Sequence, residues 1–224
     1  QLTNLYQAHA KVPLLLSMDA EWGLAMRLDS TVQFPYQMAL GAIQNDQLIY
    51  EMGQEIALEC QRLGVHVNLA PVVDVNNNAN NPVINYRSFG ENKEKVAQKG
   101  LAYVKGMQSQ HVLACAKHFP GHGDTDTDSH LDLPIIRHNK ERLKDIELYP
   151  FEELIAQKVG GIMIAHLSIP ALDSTKNQPS TLSKPIVTNL LKKELGFEGL
   201  IFTDALNMKG VTKYYETGEV DFKA

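Results

Sequence analysis

The sequence is poor in the features that mark several protein classes. It has 2 cysteines in 224 residues, Cys60 and Cys115, each inside an apolar segment. That argues against a disulfide scaffold and predicts two buried thiols. No apolar run approaches the roughly 20 residues a membrane helix needs, so no membrane span is expected. Charge of one sign is lacking too: 21 Lys and Arg stand against 26 Asp and Glu, a formal net charge of -5. So mild a balance offers no footprint for nucleic acid or an anionic membrane surface. No internal repeat or low-complexity linker is visible, and residues 1–11 lack the basic start and apolar stretch of a signal peptide. The start reads as trimmed, which leaves cytoplasm and periplasm both open.

What is present is ordinary in bulk and specific in detail. Hydrophobic residues make up 44% and charged residues 21%, in a chain long enough for one substantial core. Short β-type runs alternate with helical patterns, as in parallel sheets joined by crossover helices. Strands are expected over 12–19, 65–73, 112–117, 160–166 and 199–204. Apolar residues at Leu48, Ile49, Met52, Ile56, Cys60 and Leu63 keep a helical period, and Gly64 closes that helix. Asn92 and Asn139 are expected to cap helices running to about 110 and 157, with a further helix over 184–195.

Every expected strand ends in chemically capable residues: Asp19, Asp74, Lys117 with His118, His166 and Asp204. In a βα barrel the strand C-termini open on one face, where the active site assembles. An open doubly wound sheet would place its ligand there too, but no glycine-rich fingerprint follows a strand. The expected fold is therefore α/β, a (β/α)8 TIM-type barrel. Five strands cannot close eight, so residues 1–224 are read as a single partial barrel domain, truncated at both ends. Open edges predict poor stability for the segment by itself.

The densest chemistry lies in Lys117-His118-Phe119-Pro120-Gly121-His122-Gly123-Asp124-Thr125-Asp126-Thr127-Asp128-Ser129-His130. Charges so crowded at a strand end need partners or solvent. A bland solvated acidic loop is one reading. A metal site is another, since His118 and His122 are four apart. Pro120 and Gly121 argue against the helix that would bring those two together, and no metal is expected.

This loop resembles the signature of the β-N-acetylglucosaminidases of glycoside hydrolase family 3. The resemblance implies that Asp128 orients His130, which serves as general acid/base. The segment from Gly199 to Met208 resembles the family's nucleophile strand, with Asp204 attacking the anomeric carbon. The family often has a second aspartate next, where Ala205 stands here. Without the resemblance, an aspartate at a strand end is equally well a helix cap. Ser17 to Gly23 with Arg27 is similar to the family's Asp-Gln-Glu-Gly-Gly element, departing from it at Ala20 and Trp22. Trp22 is read as a packed loop anchor, with sugar stacking as the alternative. Arg87, in Asn85-Tyr86-Arg87-Ser88-Phe89-Gly90, matches an Arg-Ser-Phe-Gly element. The implied substrate-binding set is Asp19, Arg27, Arg87, Lys117, His118, His166 and Met208. Asp74 is expected to shape its loop through backbone hydrogen bonds.

The resemblance implies a retaining hydrolase that releases terminal β-linked N-acetylglucosamine, from peptidoglycan-derived or other amino-sugar glycans. The partner is a carbohydrate, no cofactor is required, and a further C-terminal domain can follow in the complete protein. A β-glucosidase-type relative and a non-catalytic carbohydrate-binding relative are the alternatives.

Overall fold

The structure, a computed structural model, describes residues 2–128, 132–216, 218, 220 and 222. Five parallel strands run in chain order, β1 (Ser17–Met18), β2 (Val67–Asn68), β3 (Leu113–Phe119), β4 (Gly161–Ile164) and β5 (Leu200–Thr203). Each pairs with the next, as Ser17 with Val67, Val67 with Leu113, Cys115 with Gly161 and Gly161 with Leu200. The sheet curls into a half-barrel whose edges in the described residues are β1 and β5. Crossover helices cover its outer side, so every strand points the same way.

All five strands fall where apolar runs predict them, but two are much shorter. The first was expected over 12–19 and pairs only at Ser17 and Met18. Pro13 has no N–H to give, and the Leu14 N–H donates instead to Gln7 Oε1 at 2.9 Å. The Leu16 N–H donates to His66 Nδ1 at 3.0 Å. Beyond Asn68 the second strand loses regular register near Pro71. It stays bound to β3 through Cys115 N–H to Ala70 O and Val73 N–H to Lys117 O, both 2.8 Å.

The helix Gln47–Leu63 ends on Gly64 at φ 73°, a left-handed cap that glycine adopts without a Cβ clash. It buries Ile49, Met52, Ile56 and Cys60 against the core. Burial of each such large apolar side chain contributes about 1.5–3 kcal/mol. Its partner, Lys93–Ser109, starts where the Asn92 side chain accepts the Lys95 N–H at 2.8 Å. The two helices meet through glycine: a Cβ on Gly106 would stand 2.1 Å from Tyr50 O, and one on Gly53 2.7 Å from Tyr103 O.

The helix expected over 139–157 does begin with Asn139 accepting the Arg142 N–H, but it is not continuous. It runs as Lys140–Arg142, widens into a π-type turn over Leu143–Glu147, and restarts as Tyr149–Ala156 with Pro150 in its first turn. Proline cannot donate within a helix, so it sits at a start. The helix expected over 184–195 is present as Pro185–Glu194, also π-wound. No helix among the described residues is long and apolar enough to cross a membrane. Both cysteines are free and buried, and burial pushes the Cys60 thiol up to about 11 and the Cys115 thiol up to about 12.

Candidate active site

The C-terminal ends of the strands surround a cleft of about 440 Å³. Asp19 and Glu21 enter from the loop after β1, Arg87 from the loop after β2, Lys117 and His118 from β3, and Asp204 from the end of β5. Five of the sequence-derived positions outside the acid/base loop, Asp19, Arg27, Arg87, Lys117 and His118, thus share one cavity with Asp204.

A buried ion network forms the floor. Lys117 Nζ lies 2.8 Å from both Asp19 Oδ1 and Glu21 Oε1. Arg87 grips Glu21 with two parallel bonds, Nε to Oε2 at 3.0 Å and Nη2 to Oε1 at 2.7 Å. Arg27 Nη2 closes the outer end on Asp19 Oδ2 at 2.8 Å. Glu21 is 1% exposed and Lys117 2%, so neither charge would persist without its partners. Burial opposes the Glu21 charge, but Lys117 and Arg87 outweigh it and hold the carboxyl far below its usual range. Asp19 is likewise lowered, against its burial, by Lys117 and Arg27. Burial disfavours the Lys117 ammonium, yet Glu21 and Asp19 raise its pKa.

Glu21 is a cleft residue to which the sequence assigned no role. The available signal was spacing: Asp19 and Glu21 are two apart, which puts both carboxylates on one side of an extended segment. Trp22, next along, packs its ring edge-on against Tyr36 with centroids 4.8 Å apart, and Tyr36 meets Tyr86 at 4.7 Å. The loop-anchor reading of Trp22 agrees with that packing.

Asp204 stands where β5 ends, its backbone N–H bonded to Ile164 O at 3.0 Å. Its Oδ1 accepts the Ala205 N–H at 2.8 Å. Burial raises the Asp204 pKa, but its neighbours His118, the Ala205 N–H, His166 and Lys117 together lower it below the usual carboxylate value. The group is therefore ionised at neutral pH.

Behind the cleft, the fully buried Asp74 binds the turn after β3 by several contacts. Its carboxylate accepts the His118 N–H at 3.2 Å, the His122 N–H at 2.6 Å and His118 Nδ1 at 2.7 Å. This agrees with the expected loop-shaping role and adds a side-chain bond to it. His122 lines the cleft beside His118, with ring centroids 6.0 Å apart. Burial, reinforced by the neighbouring His118, lowers its pKa to about 4, so the ring is neutral.

Two expected binding residues are not among those lining this cleft. His166 is buried beneath the site, with Nε2 3.1 Å from Ala205 O and Nδ1 2.6 Å from Thr181 Oγ1. A carbonyl only accepts, so Nε2 carries the proton, and burial keeps the ring neutral. His166 therefore buttresses the turn that follows Asp204. Met208 is buried at the start of the helix Lys209–Thr212 and is not among the residues lining the cleft. Asp128 is half-buried and likewise does not line this cleft. His130 lies outside the described residues.

A second cavity, of about 540 Å³, is lined by Asp124, Asp126, Arg137 and His138 among others. Here Asp124, His138 and Glu147 bring one potential ligand atom each to within 4.8 Å of one another. The cluster is already closed by charge: His138 Nε2 is 2.5 Å from Asp124 Oδ2, and Arg142 Nη1 holds both Glu147 oxygens at 2.6 and 2.8 Å. A cation would have to displace that guanidinium.

A parallel half-barrel whose strand ends open on a cleft of carboxylates and fixed donors places its chemistry where α/β barrels assemble their active sites. The glycosyl hydrolase family 3 N-terminal domain matches residues 1–224, and the chain belongs to that family. It is 42% identical to beta-hexosaminidase A of Pseudoalteromonas piscicida, over 96% of this chain and 39% of that protein. It superposes with a TM-score of 0.94 on a family 3 beta-N-acetylglucosaminidase from Paenibacillus sp. str. FPU-7, at 44% identity, covering 100% of this chain and 42% of that one. A beta-glucoside phosphorylase, BglX, has the same local fold at a TM-score of 0.92 and 26% identity, over 96% of this chain and 41% of its own. The chain thus spans less than half the length of each of these relatives.

Proposed function

We propose that the protein carrying this chain is a retaining β-N-acetylglucosaminidase acting on terminal β-linked N-acetylglucosamine in amino-sugar glycans, peptidoglycan fragments among them. The observation that carries the reading is one cavity holding an ionised Asp204 opposite Asp19, Arg87, Lys117 and His118. In this reading the five strands belong to an eight-stranded barrel, and residues 1–224 are one partial domain of it.

The reaction proceeds in two displacements. Asp204 attacks the anomeric carbon while His130, oriented by Asp128, protonates the departing glycosidic oxygen. The C–O bond to the leaving group breaks and a glycosyl ester to Asp204 forms. His130, now neutral, takes a proton from water; that water attacks the same carbon, releases Asp204 and gives a sugar with the β configuration retained. The Asp19–Lys117–Glu21–Arg87 network holds its donors and acceptors in place before the sugar arrives, so reorganisation contributes little to the barrier. Lys117 is fixed between two carboxylates and acts as an immobile charge, and neither it nor Arg87 serves as an acid or base near neutral pH.

The similarity to a beta-glucoside phosphorylase favours one second reading, in which the sugar is glucose. Parallel assays on chromogenic β-N-acetylglucosaminide and β-glucoside separate the two. Turnover of the first and not the second is expected, and it is lost in Asp204→Ala.

A further inference from the structure

Asp74 has no place in the two displacements just described, yet its carboxylate takes three donors beside the site. It is fully buried, and both of its oxygens face the turn after β3. A backbone-shaping role would need only the His118 and His122 N–H groups. The third contact is to an imidazole nitrogen, His118 Nδ1 at 2.7 Å, and that ring lines the cleft while Asp74 does not.

We infer that Asp74 is a positioning residue of the active site, whose carboxylate fixes His118 as the Nδ1–H tautomer and leaves Nε2 as the ring atom available to the bound sugar. The chemistry is one of donors and acceptors. A carboxylate flanked by N–H groups can only accept, so the nitrogen facing it must carry hydrogen. The other nitrogen of a neutral ring is then an acceptor, suited to a sugar hydroxyl that donates. Rotation of the ring is blocked as well, because the turn on either side of it is bound to the same two oxygens. Charged and titratable groups near the ring come from the neighbouring elements: Lys117 and His122 on its own segment, Arg87 after β2 and Asp204 after β5 line the same cleft, and His166 after β4 lies close by. Burial opposes the Asp74 charge, and His118 and His122 restore it. Asparagine in its place has one acceptor oxygen for these N–H groups and presents an NH2 to the rest, which favours the opposite tautomer.

The inference rests on the glycosidase reading for its kinetic consequence and on geometry alone for its spectroscopic one. The test uses the complete protein labelled with 15N-histidine, as wild type and as Asp74→Asn, His118→Gln and the double variant. In the neutral form of the ring, wild type is expected to show His118 with a protonated Nδ1 and an unprotonated Nε2, and Asp74→Asn to lose that pattern. The single substitution should lower kcat/KM by about tenfold or more, and adding it to His118→Gln should cost less than about threefold further. A His118 ring protonated on Nε2 alone in wild type would overturn the inference, as would full additivity of the two substitutions. If Asp74→Asn does not fold, the wild-type ring spectrum decides by itself. If wild type turns over neither glycoside, the functional reading fails while the tautomer assignment still stands or falls on the spectrum.

Discussion

Single residues in this site owe their charge states to neighbours as much as to their own chemistry. Lys117 remains an ammonium although buried, because Asp19 and Glu21 flank it; His122 and His166 are kept neutral because burial prevails over nearby acids. The histidines have a consequence for folding. His122 binds its proton at about 4 in the folded chain against an ordinary 6.5, so between those values the unfolded chain holds more protons. Stability must then rise with pH through that window and fall as pH drops from 6.5 toward 4, by roughly 3 kcal/mol for this one group. Denaturant midpoints of the complete protein at pH 7 and pH 5 should show the loss, and His122→Asn should flatten it. At this scale the shared cleft position of Asp204, Lys117 and His118 was legible because motif and strand end coincide, and that of Arg87 from its motif alone. Glu21 was not, since its role depends on Arg87 reaching across from a segment more than sixty residues away. His166 and Met208 were placed in the binding set from sequence position; both side chains are buried and neither is among the residues lining the cleft.

Elements were legible where hydrophobic period and capping agreed, as in the helices Gln47–Leu63 and Lys93–Ser109 with Gly64 and Asn92 at their ends. They were less so where hydrogen bonding decides length. β1 has no partner on its outer side among the described residues and keeps only two paired positions, which no local pattern encodes. The break at Leu143–Glu147 was readable in hindsight from Pro150. The contact between the two long helices hinges on glycine. Gly106→Ala would force a Cβ to 2.1 Å from the Tyr50 carbonyl, so the helices must part. Overpacking of that kind costs about 1–3 kcal/mol, and a urea midpoint measured against wild type should show a loss in that range despite alanine's better helix propensity. An unchanged or higher midpoint would mean that the interface yields freely.

For the whole molecule, the sheet of the described residues has two edges, and apolar side chains sit beside both: Leu14 and Leu15 next to β1 and Leu200 on β5. Edges of this kind pair with something in a stable protein or else invite association. Residues 1–224 expressed alone are therefore expected to unfold at a lower temperature than the complete protein and to aggregate on heating. A cooperative transition at the same temperature in both would show that the half-barrel is self-sufficient. Parallel α/β character was legible from the alternation of patterns, and the site's location from the carboxylates and histidines at strand ends. The eight-stranded barrel was an expectation from strand ends opening on one face without a glycine-rich fingerprint, and five strands show only an arc.

The central claim is that Asp204, in the cleft with Lys117, His118 and Arg87, is the nucleophile of an amino-sugar hydrolase. The most direct measurement is mass spectrometry of the complete protein after incubation with a slow-reacting activated β-N-acetylglucosaminide, followed by peptide mapping. The account predicts a single added glycosyl group on the peptide containing Asp204, absent in Asp204→Ala, which also loses turnover of the chromogenic β-N-acetylglucosaminide. A glycosyl group mapped to another carboxylate, or undiminished turnover by Asp204→Ala, would contradict it.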